Sequence, residues 1–325
     1  MKHHLYHILR DWISQKDDYD WILVTVIGTR GSSYRKAGAM MLFNDTGKQM
    51  GMVSGGCLES DIFHHARKCW LKGHSKQVTY DMQEEGDIAW RLGIGCGGEV
   101  TLLLQPVNAE NNYLHLPEVL ERMQANQPVD YAQSLRPGPA ASLITRPEQK
   151  EDWFVHRLTP PSTLLILGGG VDAIPLCDIA ARIGWRVAVN DPRARYARSQ
   201  DFLSATYTGE SEIEDLACNQ WYQQANAIVL MHHQVDLDAK AVALIARHPN
   251  AALQYLALLG PVHRYKSVLK SAKLQASALP VPICAPAGLP IGGELPESIA
   301  LSILSQAHAT LYEQQTHSQN SCRFA

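Results

Sequence analysis

The sequence lacks the features that mark several large classes of protein. It has no basic run and a net charge of only −3, so it carries no electrostatic footprint for nucleic acid or for an anionic membrane. No apolar stretch approaches the roughly 20 residues that a membrane span needs. The first residues also lack the apolar core of a secretory signal. We therefore expect a cytoplasmic protein that neither binds nucleic acid nor associates stably with a membrane.

Cysteine is also used sparingly. The seven cysteines are odd in number, widely scattered and never paired as Cys-x-x-Cys, which argues against a disulfide framework and a structural zinc site. The G-x-S-x-G elbow and the Walker lysine motif are absent as well, so the usual hydrolase and kinase signatures are missing. The cysteines are then either buried filler or reactive thiols.

The length and the pattern of the chain predict two domains. At 325 residues the chain exceeds the usual allowance of about 150 residues per domain. The second half alternates strands such as 163–167 with helices such as 173–183, which predicts a parallel sheet with right-handed crossovers. The predicted divisions are a first α/β domain over 1–107, a proline-rich interdomain connection over 108–161, a second domain over 162–312, and a tail over 313–325.

The most specific motif is a glycine-rich turn between the first strand of the second half and its following helix. The match to G-x-G-x-x-G/A places Gly168 at the tight turn, Gly170 where backbone approaches a phosphate, and Asp172 just before the helix. The N–H groups of the helix N-terminus suit an anion. Asp191 ends the next strand, where a ribose-binding acid lies in dinucleotide-binding folds. The pattern favours a phosphate-bearing ligand over a turn that only packs.

Two cysteines in the first half lie among glycines. Gly55 and Gly56 precede Cys57 at a predicted helix start, where the helix dipole stabilises a thiolate. Cys96 has glycines on both sides. Two such thiols indicate a soft-metal or sulfur site, and zinc is disfavoured because no spaced histidines accompany them. The alternative is that each is a small buried cysteine in a tight turn.

A basic loop follows the first predicted strand. It spans residues 28–36 and offers Arg30, Ser32, Ser33 and Arg35 to a phosphate through charge-assisted and hydroxyl hydrogen bonds. A solvated basic turn explains the same residues equally well. We treat the loop as a candidate binding segment.

A histidine pair ends the predicted strand 227–231. Ligands lie at the carboxyl ends of strands in open α/β sheets, so His233 is a candidate ligand contact. Histidine can titrate or hydrogen-bond near neutral pH. The competing interpretation is that the two histidines are an exposed pair in a loop with no ligand.

These motifs, in this order, resemble the xanthine dehydrogenase accessory family, XdhC/CoxI. The residues that resemble its N-terminal domain are 28–33, 38–41, 54–59 and 95–98. The residues that resemble its Rossmann domain are 165–173, 175–176, 184–187, 191–193, 258–260 and 290–300. The resemblance implies an α/β XdhC/CoxI-type domain followed by a Rossmann-like domain with a parallel sheet.

The resemblance also implies a function. Members of the family bind molybdenum cofactor (molybdopterin), promote its sulfuration and insert it into a xanthine dehydrogenase-type molybdoenzyme, so a chaperone is expected rather than an enzyme. In that interpretation Cys57 is the molybdenum contact, and a cysteine desulfurase is a second partner. A homodimer is expected on general grounds. Tyr34, where the family has proline, and His232-His233-Gln234, where it has threonine–histidine–aspartate, leave the client open.

Two other functions fit parts of the sequence. An NAD(P)-dependent oxidoreductase fits the glycine turn with Asp191 downstream, although the first domain offers no acid–base pair for hydride transfer. The turn also fits another nucleotide. A sulfur-transfer enzyme would use Cys57 as a persulfide carrier, and its chemistry overlaps with that of the chaperone.

Overall fold

The computed structural model describes residues 3–56, 58–81 and 98–312. The chain divides into two compact units, Met1–Pro161 and Ser162–Ala325. Cys57, Cys96 and the predicted tail 313–325 lie outside the described residues. In the part of the chain that is described, no helix is long and apolar enough to cross a membrane.

The first unit is built on an antiparallel sheet. Its elements are α1 (Leu5–Trp12), β1 (Trp21–Arg30), β2 (Met40–Asn44), β3 (Gln49–Gly51), α2 (Glu59–Lys72), β4 (His74–Asp81), β5 (Glu99–Val107), α3 (Leu116–Gln124), β6 (Val129–Ser134), β7 (Gly138–Pro139), β8 (Ser142–Leu143) and β9 (Trp153–Leu158). Short 3₁₀ turns cover Ile13–Gln15 and Ala109–His115. Six strands are arranged in the order β3-β2-β1-β5-β4-β7, and a separate sheet has the order β8-β6-β9.

Strand β1 lies inside the larger sheet, and its side chains pack in a separate buried cluster on each face of that sheet. Leu23 faces the cluster that α1 and α3 form on one side of the sheet. Ile22 and Val24 face the cluster that contains Ile62 of α2 on the other side. Apolar residues at consecutive strand positions therefore fill both faces, which explains the continuous run that begins at Trp21.

The proline-rich segment that follows β5 packs on the first unit. Within it, α3 and β6 contribute Leu116, Met123 and Tyr131 to the same buried cluster as Leu9 of α1. The hydroxyl of Tyr131 donates to the carbonyl of Leu114 at 2.8 Å. This segment is thus an integral layer of the unit that ends at residue 161.

The second unit is the parallel, Rossmann-like sheet that the sequence predicts, and that prediction is confirmed. Its elements are β10 (Thr163–Leu167), α4 (Ala173–Arg182), β11 (Arg186–Asn190), β12 (Tyr207–Gly209), α5 (Gln220–Gln223), β13 (Ala227–Leu230), α6 (Val235–Arg247), β14 (Tyr255–Leu258), α7 (Val262–Ala272), β15 (Ile283–Cys284) and α8 (Pro296–Tyr312). Short 3₁₀ turns cover Ile213–Cys218 and Ala276–Ala278. The strand order is β12-β11-β10-β13-β14-β15.

Both faces of the parallel sheet are covered by helices. Leu164 and Ile166 of β10 pack in a cluster with α4 and α8. Leu165 and Leu167 pack in the opposite cluster with α6 and α7. The carboxyl ends of β10, β11 and β13 consequently meet at one edge, and the polar residues that follow these strands gather there.

Candidate functional site

The glycine turn after β10 has a conformation that only glycine tolerates at its first position. Gly168 has a φ of +119°, and a Cβ there would lie 2.4 Å from the carbonyl carbon of Met231. Its N–H donates to the carbonyl of Asn190 at 2.9 Å. The neighbouring strands β11 and β13 therefore fix this glycine from both sides.

The three glycines of the turn differ in what they contact. A Cβ on Gly169 would lie 2.1 Å from the backbone nitrogen of Ala197, so the fold requires glycine there too. A Cβ on Gly170 would lie 3.7 Å from Cδ2 of His233, which is an ordinary contact. The fold thus needs glycine at 168 and 169, whereas at 170 the protein itself leaves room for a side chain.

Asp191 is fully buried and anchors this turn. One carboxylate oxygen accepts the N–H of Gly169 at 2.9 Å, and the other accepts the backbone N–H of Arg193 at 3.0 Å. The Arg193 guanidinium donates to both oxygens, at 2.8 and 2.6 Å. Burial opposes ionisation, but these hydrogen bonds outweigh it and hold the pKa of Asp191 below its ordinary value. A ribose hydroxyl would have to compete with Arg193 for this carboxylate.

Helix α4 begins beside a pair formed by a carboxylate and an imidazole. Asp172 is the N-cap but makes no side-chain capping bond, and its carboxylate lies 3.1 Å from Nε2 of His233 instead. His233 has a φ of +58°, which turns it back toward the helix start. The structure therefore brings together all five site residues predicted in this unit. The N–H groups of Gly170 and Val171 have no acceptor among the described residues, so they remain available to an anion.

His232, the other member of the histidine pair, was not among the predicted site residues. It is fully buried, and its Nδ1 lies 2.7 Å from a carboxylate oxygen of Asp238, whose second oxygen accepts from Arg264. Its Nε2 is buried without a partner in the described part of the chain. The sequence signal was an aspartate in the first turn of the helix after a strand-end histidine. His232 lies directly beneath the turn, since its backbone nitrogen would be 2.5 Å from a Cβ on Gly168.

In the first unit, the chain on either side of Cys57 is held by one serine. The Ser54 hydroxyl donates to the Glu59 carboxylate at 2.7 Å and accepts the N–H groups of Gly56 and Leu58 at 3.3 Å. Ser54 and Glu59 are both buried. Cys57 itself is outside the described residues, but its neighbours form a fixed turn at the start of α2.

The basic loop approaches one described glycine from each of the two glycine-rich segments. The ring of Tyr34 lies 3.7 Å from the Cβ position of Gly55. A Cβ on Gly98 would lie only 2.2 Å from the carbonyl oxygen of Ser32. This approach follows from the pairing of β1 with β5, in which Arg30 is opposite Glu99. The basic loop thus lies close to Gly55 and to Gly98, which are far apart in the sequence, whereas Cys57 and Cys96 are outside the described residues.

The basic loop offers donors that no other described residue uses. Oγ of Ser33 is buried and has no hydrogen-bond partner among the described residues. Arg35 forms no ion pair within that part of the chain, and Arg30 reaches only Glu99, at 4.0 Å. Unused donors beside glycines suit a phosphate-bearing ligand. No group of three or more His, Cys, Asp or Glu among the described residues has the geometry of a metal site.

Two family models match the chain. The XdhC and CoxI family model matches residues 14–81, and the XdhC Rossmann domain model matches residues 164–307. The first match contains the basic loop and the Cys57 segment. The second contains the glycine turn, Asp191 and the histidine pair.

The chain is similar to two proteins in sequence and to one solved structure in fold. The chain is 28% identical to a probable xanthine dehydrogenase subunit from Bacillus subtilis (strain 168) over 93% of its own length and 96% of that protein. It is 31% identical to the molybdenum cofactor insertion chaperone PaoD of Escherichia coli (strain K12), over 50% of each chain. A crystal structure described as a xanthine dehydrogenase from Bacillus halodurans has a TM-score of 0.81 and 27% identity, covering 99% of this chain and 98% of that one.

Proposed function

Because this chain belongs to the XdhC and CoxI family, we propose that it binds molybdenum cofactor and helps insert it into a xanthine dehydrogenase-type molybdoenzyme. The observation that carries the proposal is the meeting of Tyr34 with Gly55 and of Ser32 with Gly98 at one sheet edge. The name of the Escherichia coli relative supports the role, although that protein matches over only half of either chain.

The residues at this edge fit the chemistry of molybdopterin. Arg30, Ser33 and Arg35 would hold its phosphate, since they offer guanidinium charge and a hydroxyl that has no partner among the described residues. Cys57 would contact the molybdenum end, because thiolates suit a soft metal and Ser54 fixes the turn around this position. When bound, the cofactor brings the molybdenum–dithiolene centre, and the protein's part is to hold and shield it.

The second unit contributes a second binding surface in this proposal. The N–H groups of Gly170 and Val171, which no described residue accepts, lie beside the Asp172–His233 pair and suit the phosphate of a ligand. We further propose that a cysteine desulfurase supplies sulfur for sulfuration of the bound cofactor and that the protein works as a homodimer. Both rest on the family resemblance and on general expectation.

An NAD(P)-dependent oxidoreductase is the alternative that the glycine turn raises. The Asp191 geometry gives it less support, because both carboxylate oxygens are already bonded to Gly169 and Arg193. Titrating the protein with NADH while following its fluorescence separates the two functions. Saturable micromolar binding would favour the oxidoreductase.

The test of the chaperone uses protein expressed in a host that makes molybdenum cofactor. Molybdenum is measured by elemental analysis and pterin by the fluorescence of its oxidised form, beside Cys57→Ala. Cys218→Ala is the matched control, because Cys218 is exposed and lies in the second unit. We expect pterin near one equivalent in the unmodified protein and in Cys218→Ala, and its loss in Cys57→Ala. Pterin absent from all three would refute the proposal, and pterin retained by Cys57→Ala would remove Cys57 from the site.

A further inference from the structure

A pocket in the first unit has a mixed lining in which every polar side chain except that of Thr159 is basic. It has a volume of about 300 Å³ and is formed by the segment before α1, the segment before β2, and the end of β9. Its basic lining residues are His3, His4, Arg35, His156 and Arg157. No carboxylate lines it among the described residues. A concave site with this lining selects for negative charge.

Several of these groups have no partner in the part of the chain that the structure describes. Nε2 of His156 and Nδ1 of His3 are buried without hydrogen-bond partners among the described residues. Arg35 is half-buried and makes no ion pair with any described residue. The guanidinium of Arg157, by contrast, lies 3.6 Å from a carboxylate oxygen of Asp130. Buried polar atoms are nearly always bonded, so unbonded ones that line a pocket point to a ligand.

The protonation of the imidazoles defines how they act. Nδ1 of His4 accepts the N–H of Tyr6 at 3.2 Å, which caps α1 and leaves the proton of the neutral ring on Nε2. Burial lowers the pKa of His4 to about 4, assisted by His7, and burial alone lowers the pKa of His156 to about 4. Both rings are therefore neutral donors at pH 7, and Arg35 supplies the positive charge.

The approach of the backbone to this pocket depends on one glycine. Gly38 has a φ of +93°, and a Cβ on it would lie 3.2 Å from Nδ1 of His156. The segment that carries Arg35 can lie close to His156 because this position has no side chain. The charge and the neutral donors thereby face the same space.

We propose that this pocket binds a phosphate group, either as free phosphate or as a phosphate monoester, with Arg35 as the charged ligand and His4 and His156 as neutral donors. The inference rests on the proposed function for Arg35, which that role assigns to the phosphate of the cofactor, and it goes beyond that role in adding His4 and His156 to the site. The site needs no molybdenum for recognition, so it can be tested on protein that lacks the cofactor. The pocket is large enough for a small organic group beside the phosphate.

The test is isothermal titration calorimetry of the full chain at pH 7 with inorganic phosphate and, separately, with phenyl phosphate. Arg35→Gln should weaken binding by about tenfold or more, since it removes a charge-assisted hydrogen bond. His156→Phe keeps the ring volume but removes its nitrogens and should also weaken binding. Lys36→Gln is the control, because Lys36 is the exposed neighbour that does not line the pocket. It should bind as the unmodified chain does.

The two probes separate the two sources of phosphate. Tighter binding of phenyl phosphate would assign the pocket to a monoester, and equal binding would assign it to the free anion. No heat from either probe with the unmodified chain, or unchanged binding by Arg35→Gln, would overturn the proposal. Retention of pterin is measured independently, so failure here is distinguishable from failure of the cofactor role.

Discussion

Alanine substitutions within the glycine turn should separate what the fold needs from what a ligand needs. In Gly168→Ala, the new Cβ would lie 2.4–2.5 Å from the backbone of Met231 and His232 at a φ of +119°. Backbone strain and the clash together should cost at least about 3 kcal/mol. In Gly170→Ala the nearest atom is 3.7 Å away, so the free energy of unfolding should change by no more than about 0.5 kcal/mol.

The assay is thermal unfolding of both variants beside the unmodified protein, together with measurement of retained pterin. For a unit of this size, a loss of 3 kcal/mol lowers Tm by about 6–12 °C. Gly170→Ala should keep its Tm and lose ligand, because the methyl group occupies the space where a phosphate approaches the backbone. Equal destabilisation by the two variants would refute the reasoning. Full ligand retention by Gly170→Ala would remove this position from the binding surface.

Two further predictions concern buried titratable groups. Burial lowers the pKa of His156 from 6.5 to about 4, so its stabilising effect is complete above pH 6.5 and is lost as pH falls toward 4. His156→Gln should remove this loss, which is at most about 3 kcal/mol in the free energy of unfolding, and should therefore flatten the pH dependence of Tm over that window. An unchanged slope would contradict this. Asp238→Ala leaves His232 and Arg264 without their carboxylate and should cost about 3–5 kcal/mol in urea unfolding. Asp236→Ala, at an exposed carboxylate of the same helix turn, should change stability little, and a loss as large as that of Asp238→Ala would argue against the buried network.

The parallel sheet was predictable because its signal is local. Strands such as β10 are short apolar runs, and the turn at Gly168 ends in a helix, so each element is visible within a few residues. The proximity of Asp172, His233 and Gly170 then follows from the rule that carboxyl ends of parallel strands share an edge.

Features that depend on distant partners were not predictable. Arg264 completes the His232–Asp238 pair from another helix, 26 residues after the aspartate. The contact of Gly98 with Ser32 depends on the register of β1 with β5, which no local pattern specifies. The layer formed by α3 and β6 was hidden because prolines interrupt the periodicity over 108–161.

The bonds between Asp191, Gly169 and Arg193 have a consequence for the rate and entropy of ligand exchange. Because these bonds already fix the turn, binding of a ligand to its N–H groups orders little further backbone and costs little conformational entropy of the protein. Preorganised surfaces of this kind favour fast, reversible association without a folding step. A carrier that must give up its cargo to a client benefits from such a surface, since release then requires no rearrangement of the turn.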